Sequence, residues 1–315
     1  MIVIGGLAWY VNKNYIRYSP SEENQGFITN NKDDKKVTSK PALMYLTKKS
    51  SNDIWSWQDG HVKKIYTDSD ESEKILKVSN IISNKFLAIV NKDSDAKSGK
   101  LVEIDLANRS KKNLQDYFTV PKVLSLSPNL LQIAYINFSN VEENYGYTLY
   151  VENKDGNLKK QIYNSSSEIK SPSWDPDSKK IVYSVMTETA GKLKKTTISS
   201  KNTQDILSLD NKMIDSCFWQ KNGQVVYSDR KIGANNGDIG IIDTDTNKIR
   251  NLTSFKGGMA NFIYSDDSLN YFGYIVGQYI GEINEKTIGQ IFILSSNNQE
   301  NKALEKGNQI LGWSN

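Results

Sequence analysis

A single cysteine, Cys217, and a single histidine, His61, limit the side-chain chemistry open to these 315 residues. A thiol nucleophile needs a basic partner within hydrogen-bond reach. His61 follows Asp59-Gly60, a hairpin signal that places it on an outer strand, whereas Cys217 stands two residues before Trp219 in a mostly apolar run. The two are therefore read as unconnected, with Cys217 a small buried hydrophobe. Single use of both residue types offers no tetrahedral zinc set, and one cysteine forms no intrachain disulfide. Asp93 and Asp95, with Gly99 behind them, have a faint calcium-loop look, but position 104 is Ile where an EF-type loop needs a carboxylate. They are read as a solvated connection, residues 243–247 as an outer hairpin and 68–73 as a link between units. No Gly-x-Ser-x-Gly elbow occurs. No catalytic residue, metal ligand or cofactor site is assigned, and Asp215 is the main charged exception among otherwise apolar, Ser and Trp positions.

The elements that carry these residues repeat. Stretches opening at Ile82, Leu126, Trp174, Trp219 and Tyr264, and a half-copy containing Trp313, each place a large residue before a polar turn and a hydrophobic strand. Their spacings are 44, 48, 45, 45 and 49 residues. A period in the forties filled with short strands and no helix signal marks a β-propeller. The last copy stops after one strand, and no such opening precedes the strand-like runs at 42–47, 54–58 and 62–67. The expected fold is all-β, a six-bladed β-propeller with four-stranded blades, whose first and last blades are closed by combining N- and C-terminal strands. That swap removes an open sheet edge.

Composition sets further bounds. The net charge of +4 is spread along the chain, with no basic cluster of domain scale, so nucleic-acid binding is not expected. Residues 1–11 are almost wholly apolar, and eleven helical residues reach only about 16 Å, half a bilayer core. Residues 1–18 are read as part of an N-terminal membrane anchor or signal segment, 19–41 as a flexible linker rich in Ser, Asn, Lys and acidic residues, and 42–315 as the propeller. A short apolar segment packed on the propeller is the alternative for residues 1–11. The anchored reading places the propeller outside a bacterial cytoplasmic membrane, as a monomer.

Ser171-Pro-Ser-Trp174-Asp-Pro176-Asp177-Ser-Lys-Lys-Ile-Val-Tyr183 resembles the signature of TolB-like propeller repeats, also called WD40-like or PD40 repeats. Weaker versions stand at Ser127-Pro128-Asn129, Asn222-Gly223 and Ser265-Asp266-Asp267. Pro and Asp preset a tight turn, and the small residue after them permits positive φ. Trp174, Pro176, Asp177, Trp219, Tyr264 and Trp313 are the structural residues of the repeat signature. TolB-like proteins also carry a small α/β domain ahead of the propeller, which has no counterpart in this sequence.

Function is sought on the face where loops leave the second strand of each blade, with long loops expected at 137–146, 229–238 and 277–289. Tyr145 and Tyr147 in the first, Tyr279, Ile280 and Ile283 in the last, and Tyr117 and Phe118 in a blade link form the expected partner-binding set. The resulting expectation is a non-enzymatic module that binds protein or peptide. A propeller hydrolase or lyase acting on glycan or peptide at the channel mouth is the alternative, recognisable by Asp, Glu or Arg side chains converging on the axis.

Overall fold

A computed structural model describes residues 42–314, apart from 47–52, 59–60, 68–69, 71, 143–144, 235, 257–258, 266–270, 278–288, 296–300 and 308. The proposed anchor and linker lie outside the described residues.

Alternation of apolar and polar side chains between tight turns commits the chain to antiparallel strands. Among the described residues, 24 strands form six four-stranded sheets. The first three strands are β1 (Ala42–Leu46), β2 (Asp53–Gln58) and β3 (His61–Thr67). Next come β4 (Lys74–Val78), β5 (Lys85–Asn91), β6 (Ser98–Asp105) and β7 (Ser110–Thr119). They are followed by β8 (Val123–Leu126), β9 (Gln132–Ser139), β10 (Gly146–Asn153) and β11 (Lys160–Ser165). The third continuous sheet holds β12 (Glu168–Trp174), β13 (Lys180–Met186), β14 (Ala190–Thr197) and β15 (Asn202–Asp210). The fourth holds β16 (Lys212–Trp219), β17 (Gln224–Lys231), β18 (Asn236–Asp243) and β19 (Ile249–Lys256). The chain ends with β20 (Met259–Ser265), β21 (Tyr271–Gly277), β22 (Gly289–Ser295), β23 (Asn301–Gly307) and β24 (Gln309–Ser314).

The expectation of six blades is corrected in this sense: five blades are complete and continuous in sequence, β4–β7 through β20–β23. The remaining sheet is a composite ordered β24-β1-β2-β3, because the last repeat supplies one strand and the residues before β4 supply three. Leu43 pairs with Trp313 and Met44 with Gly312 across its seam.

Second strands are buried on both faces, as β5 and β13 show, and so read as nearly continuous apolar runs. Outer strands such as β3 and β7 are largely exposed. The core is distributed between sheets rather than within one layer pair. Leu76, Leu87 and Leu101 pack with Leu124 and Ile133, and Leu193 and Ile206 with Ile214 and Trp219. Leu43 joins Ile275 and Ile291 on one side of the composite sheet, while Met44, Ile54 and Leu311 join Ile75 and Phe86 on the other.

The repeat turn works through side-chain oxygens. The amides of Lys179 and Lys180 both donate to Asp175 Oδ1 at 2.7 Å, and Ser178 takes φ +59°. Gly223 fills the same place with φ +85°, a conformation that costs glycine nothing.

Candidate functional site

The first strand of each continuous blade lies at one edge of its sheet and contacts first strands of neighbouring blades, which brings β8, β12, β16 and β20 around an axis. A cavity of about 130 Å³ lies there, lined among others by Asn80, Ser125, Lys170, Ser171, Asp215 and Tyr264. Its walls are held together by hydrogen bonds between successive blades. Asn80 Oδ1 accepts from the Leu126 amide at 2.7 Å and Asn80 Nδ2 donates to the Leu126 carbonyl at 3.1 Å. The Trp219 amide donates to Ser173 Oγ at 2.9 Å, and Cys217 Sγ to the Ser171 carbonyl at 3.1 Å. These partners stand 46 residues apart, so the contact recurs with the repeat.

Of the six strands at this edge of their sheets, five (β4, β12, β16, β20 and β24) carry a β-bulge. The pairing register shifts between Ile75 and Lys77, Lys170 and Ser173, Ile214 and Ser216, Asn261 and Tyr264, and, for the last strand, opposite Met44 and Tyr45. A bulge leaves one residue out of the ladder and re-aims its side chain. In β16 that residue is Asp215.

Asp215 is 1% exposed and carries the strongest electrostatic demand of the site. Its Oδ2 accepts from Arg230 Nε at 2.8 Å, the arginine reaching over from β17. Its Oδ1 lies 3.8 Å from Lys170 Nζ, beyond hydrogen-bond distance, and has no hydrogen-bond partner. Lys170 Nζ is also 3.3 Å from Glu168 Oε2. Burial raises the Asp215 carboxyl above the ordinary aspartate range, with Lys170 and Arg230 pulling the other way. Next to this group, Lys212 Nζ donates to Asp229 Oδ1 at 2.6 Å and lies 3.6 Å from Asp238. Burial raises the Asp229 carboxyl as well.

Glu168 pairs with Met186 and Lys212 with Lys231, the last residues of their second strands, so this charge cluster sits at the end of the blades where the second-to-third-strand loops leave. The sequence identified Asp215 but not its partners. The sequence places Arg230 inside a loop at 229–238, whereas β17 runs to Lys231, β18 begins at Asn236 and Asp229 pairs with Asp238.

The residues expected to bind a partner divide. Tyr145 is 58% exposed, and its ring meets Phe138 at 5.6 Å, edge to face. Phe138 also packs on Tyr147 at 4.8 Å, although Tyr147 is half-buried against the Ile169 and Trp174 cluster. Phe138 was missed because β9 extends to Ser139, past the assumed strand end. Tyr117 is exposed, but Phe118 is 6% exposed and packs edge to face on Tyr135 at 5.1 Å. The pair lies on β7 rather than in a blade link, so one ring of the two must turn inward. Tyr279, Ile280 and Ile283 lie outside the described residues. Of the repeat-signature residues, Trp174 and Trp219 are buried in the core between sheets, and Tyr264 meets Phe218 at 5.0 Å. Pro176 and Asp177 sit in the β12–β13 turn, and Trp313 lies on β24 opposite Leu43. Cys217 is buried, and burial pushes its thiol well above the usual range. His61 opens β3, at the outer edge of the composite sheet.

No family model and no curated protein matches the sequence. Solved structures do. TolB from Acinetobacter baumannii is 13% identical with a TM-score of 0.63, the match covering 87% of this chain and 66% of that one. A chain of a nidogen/laminin complex is 8% identical with a TM-score of 0.60, covering 87% and 97%. An oligogalacturonate lyase in complex with manganese is 11% identical with a TM-score of 0.53, covering 84% and 78%. At such identities the likeness establishes the fold, a TolB-like β-propeller.

Proposed function

We propose that this propeller is a non-enzymatic module that binds protein or peptide at the end of the blades where the second-to-third-strand loops leave. The observation that carries the reading is the Phe138, Tyr145 and Tyr147 group, in which the Phe138 ring packs against both tyrosines and two of the three rings, Phe138 and Tyr145, are substantially exposed. Rigid aromatic side chains contribute large contact area at small entropic cost and are enriched where proteins meet. The likeness to a chain of a nidogen/laminin complex, an assembly of proteins, supports the same class of partner. The apolar residues 1–11 and the polar stretch 19–41 support placing the module on a tether outside a bacterial cytoplasmic membrane, and we take it to act as a monomer.

Crosslinking of the intact protein at the cell surface tests this reading. Recovery of a defined protein through residues 137–147 supports it, and recovery of none from wild-type cells overturns it.

A second reading has its own observation. Asp215, Arg230, Lys170 and Glu168 converge beside the axial cavity, the arrangement expected of a propeller hydrolase or lyase, and one similar structure is an oligogalacturonate lyase. A buried carboxyl with a raised pKa can serve as a general acid. Turnover of an oligosaccharide or peptide that disappears in Asp215→Asn would favour this reading over a binding module.

A further inference from the structure

A cleft of about 670 Å³ opens between the outer strand of the composite sheet and the first continuous blade. Its wall is made by Lys64, Ile65, Tyr66 and Thr67 on β3, by Arg109 just before β7 and by Lys111 within it. Three of these six residues are cationic and none is acidic. Arg109 is exposed and, among the described residues, has no ion pair. Lys64 Nζ stands 3.6 Å from Asp53 Oδ1, beyond hydrogen-bond distance, and that oxygen already accepts from the Thr67 hydroxyl at 2.8 Å. Lys111 Nζ donates to Glu73 Oε2 at 2.8 Å, but Glu73 is shared with Lys100. Neither carboxylate lines the cleft. The two acids therefore help to hold the lysines in place without filling the cleft with negative charge.

We propose that this cleft binds a phosphate monoester. A dianion with several terminal oxygens is the compact group that can answer all three cations together, and the planar fork of the Arg109 guanidinium matches a pair of phosphate oxygens. A carboxylate brings a single charge and serves one cation well. A sulfonate has the shape of a phosphate but only one charge, so it separates shape from charge as the basis of selection.

The organic part of the ester has a place as well. Ile65 and Tyr66 are half-buried, packed on the core shared by the composite sheet and the first continuous blade, and they form the apolar part of the wall. A volume of about 670 Å³ is in the usual range for small-molecule sites and several times that of a cavity that takes benzene. A bare phosphate leaves most of it empty, whereas an ester covers Ile65 and Tyr66 with its apolar body.

The position gives binding a structural consequence. Lys64 belongs to the composite sheet, and Arg109 and Lys111 to the blade beside it. A ligand held by both ties the closing sheet to its neighbour, and any ligand that binds only the folded ring stabilises it by mass action. None of the residues involved belongs to the Phe138, Tyr145 and Tyr147 group or to the cluster around Asp215, so this inference is independent of the binding-module reading.

The test titrates the full chain with phenyl phosphate, inorganic phosphate and benzenesulfonate, followed by two-dimensional amide NMR. Phenyl phosphate should perturb the backbone amides of Ile65, Tyr66 and Arg109 with a dissociation constant of about 0.1–1 mM. Inorganic phosphate should bind severalfold more weakly at the same amides, and benzenesulfonate at least about tenfold more weakly. Arg109→Gln should weaken phenyl phosphate by about tenfold and keep the melting temperature of the free protein close to wild type, since no ion pair is broken; Arg109→Lys should fall between the two. Lys201→Gln is the control for general charge: Lys201 precedes β15 with φ +56° as Arg109 precedes β7 with φ +50°, and its loss should leave binding unchanged. Saturating phenyl phosphate should also raise the melting temperature of wild type and not that of Arg109→Gln. Equal binding of benzenesulfonate, shifts confined to other amides, an unchanged Arg109→Gln or an equal loss in Lys201→Gln would each overturn the proposal. Sedimentation with phosphatidylcholine vesicles that contain phosphatidic acid separates the sources of the group. Co-sedimentation lost in Arg109→Gln supports the site with a lipid headgroup as the ester, and phenyl phosphate binding without co-sedimentation supports it with a soluble one.

Discussion

The backbone amide of Ile81 donates to the carbonyl of Leu311 at 2.6 Å, tying the final strand to the first continuous blade. Leu311 is fully buried, packed with Ile75, Val78 and Phe86. On its other side β24 carries the backbone pairing to β1. Leu311 thus links the composite sheet to the first continuous blade through a contact between residues more than two hundred positions apart in sequence.

Leu311→Ala should cost about 2–5 kcal/mol, the usual range for a leucine removed from a closed core. Removal of residues 308–315 should cost more, because it exposes the edge of β1 as well. Thermal unfolding checks both, with an expected fall of roughly 5–15 °C for the point variant. An unchanged melting temperature on truncation would mean that β24 does not close the ring.

The Asp215–Arg230 pair should show the asymmetry of buried ion pairs. Arg230→Met strands a buried carboxylate and should cost about 3–5 kcal/mol, while the double change Asp215→Leu with Arg230→Met should cost less than the single one. Denaturant unfolding of the single variants, the double and the wild type gives the coupling directly. Additive losses would contradict the pairing.

Glu73 gives a pH dependence of definite sign. Hydrogen bonds from Lys111 at 2.8 Å and Lys100 at 2.9 Å hold its carboxyl below the ordinary value of 4.5, against the opposing effect of burial. A carboxyl whose folded pKa is depressed contributes stability that is present above its unfolded pKa and lost as pH falls through the folded one. Wild type should therefore exceed Glu73→Gln by about 1 kcal/mol at pH 7. The gap should close progressively below the ordinary glutamate range. A gap independent of pH would assign the loss to packing rather than charge.

Gly99 allows two strands to approach. A Cβ there would stand 2.4 Å from the Val90 carbonyl oxygen, a backbone atom that cannot step aside alone. Gly99→Ala should destabilise by about 1–3 kcal/mol through forced displacement of β5 from β6. Retained stability would show that this pair of strands yields more readily than its burial implies.

On the proposed binding face, Tyr145→Ala and Phe138→Ala should each reduce partner capture several-fold with little change in melting temperature, since both rings are exposed. Phe118→Ala should do the reverse, because that ring is part of the core.

Repetition was legible in the sequence because it is written in residue types. Trp174, Trp219 and Tyr264 recur at a fixed spacing, and Asp175 with Ser178 sets a turn that only certain residues can make. The composite sheet was legible for a related reason: a lone strand at one end and three without an opening at the other leave one economical closure. The charge cluster was not legible, since Arg230 reaches Asp215 across a pair of strands whose register shifts at a bulge. A register shift leaves no mark on composition, and the strand limits that placed Arg230 in a loop fell short by a few residues. Phe118 was misjudged in the same way: only the length of β7 decides which of two adjacent rings turns inward.

The seam between β1 and β24 also has a mechanical meaning. Ala42 lies opposite Ser314, so the outward ends of the two strands stand at the same end of the ladder. Tension applied between these ends loads the hydrogen bonds one after another, as a zipper, rather than all at once in shear. The ring is therefore built to withstand heat at its closure while yielding there to a modest pull.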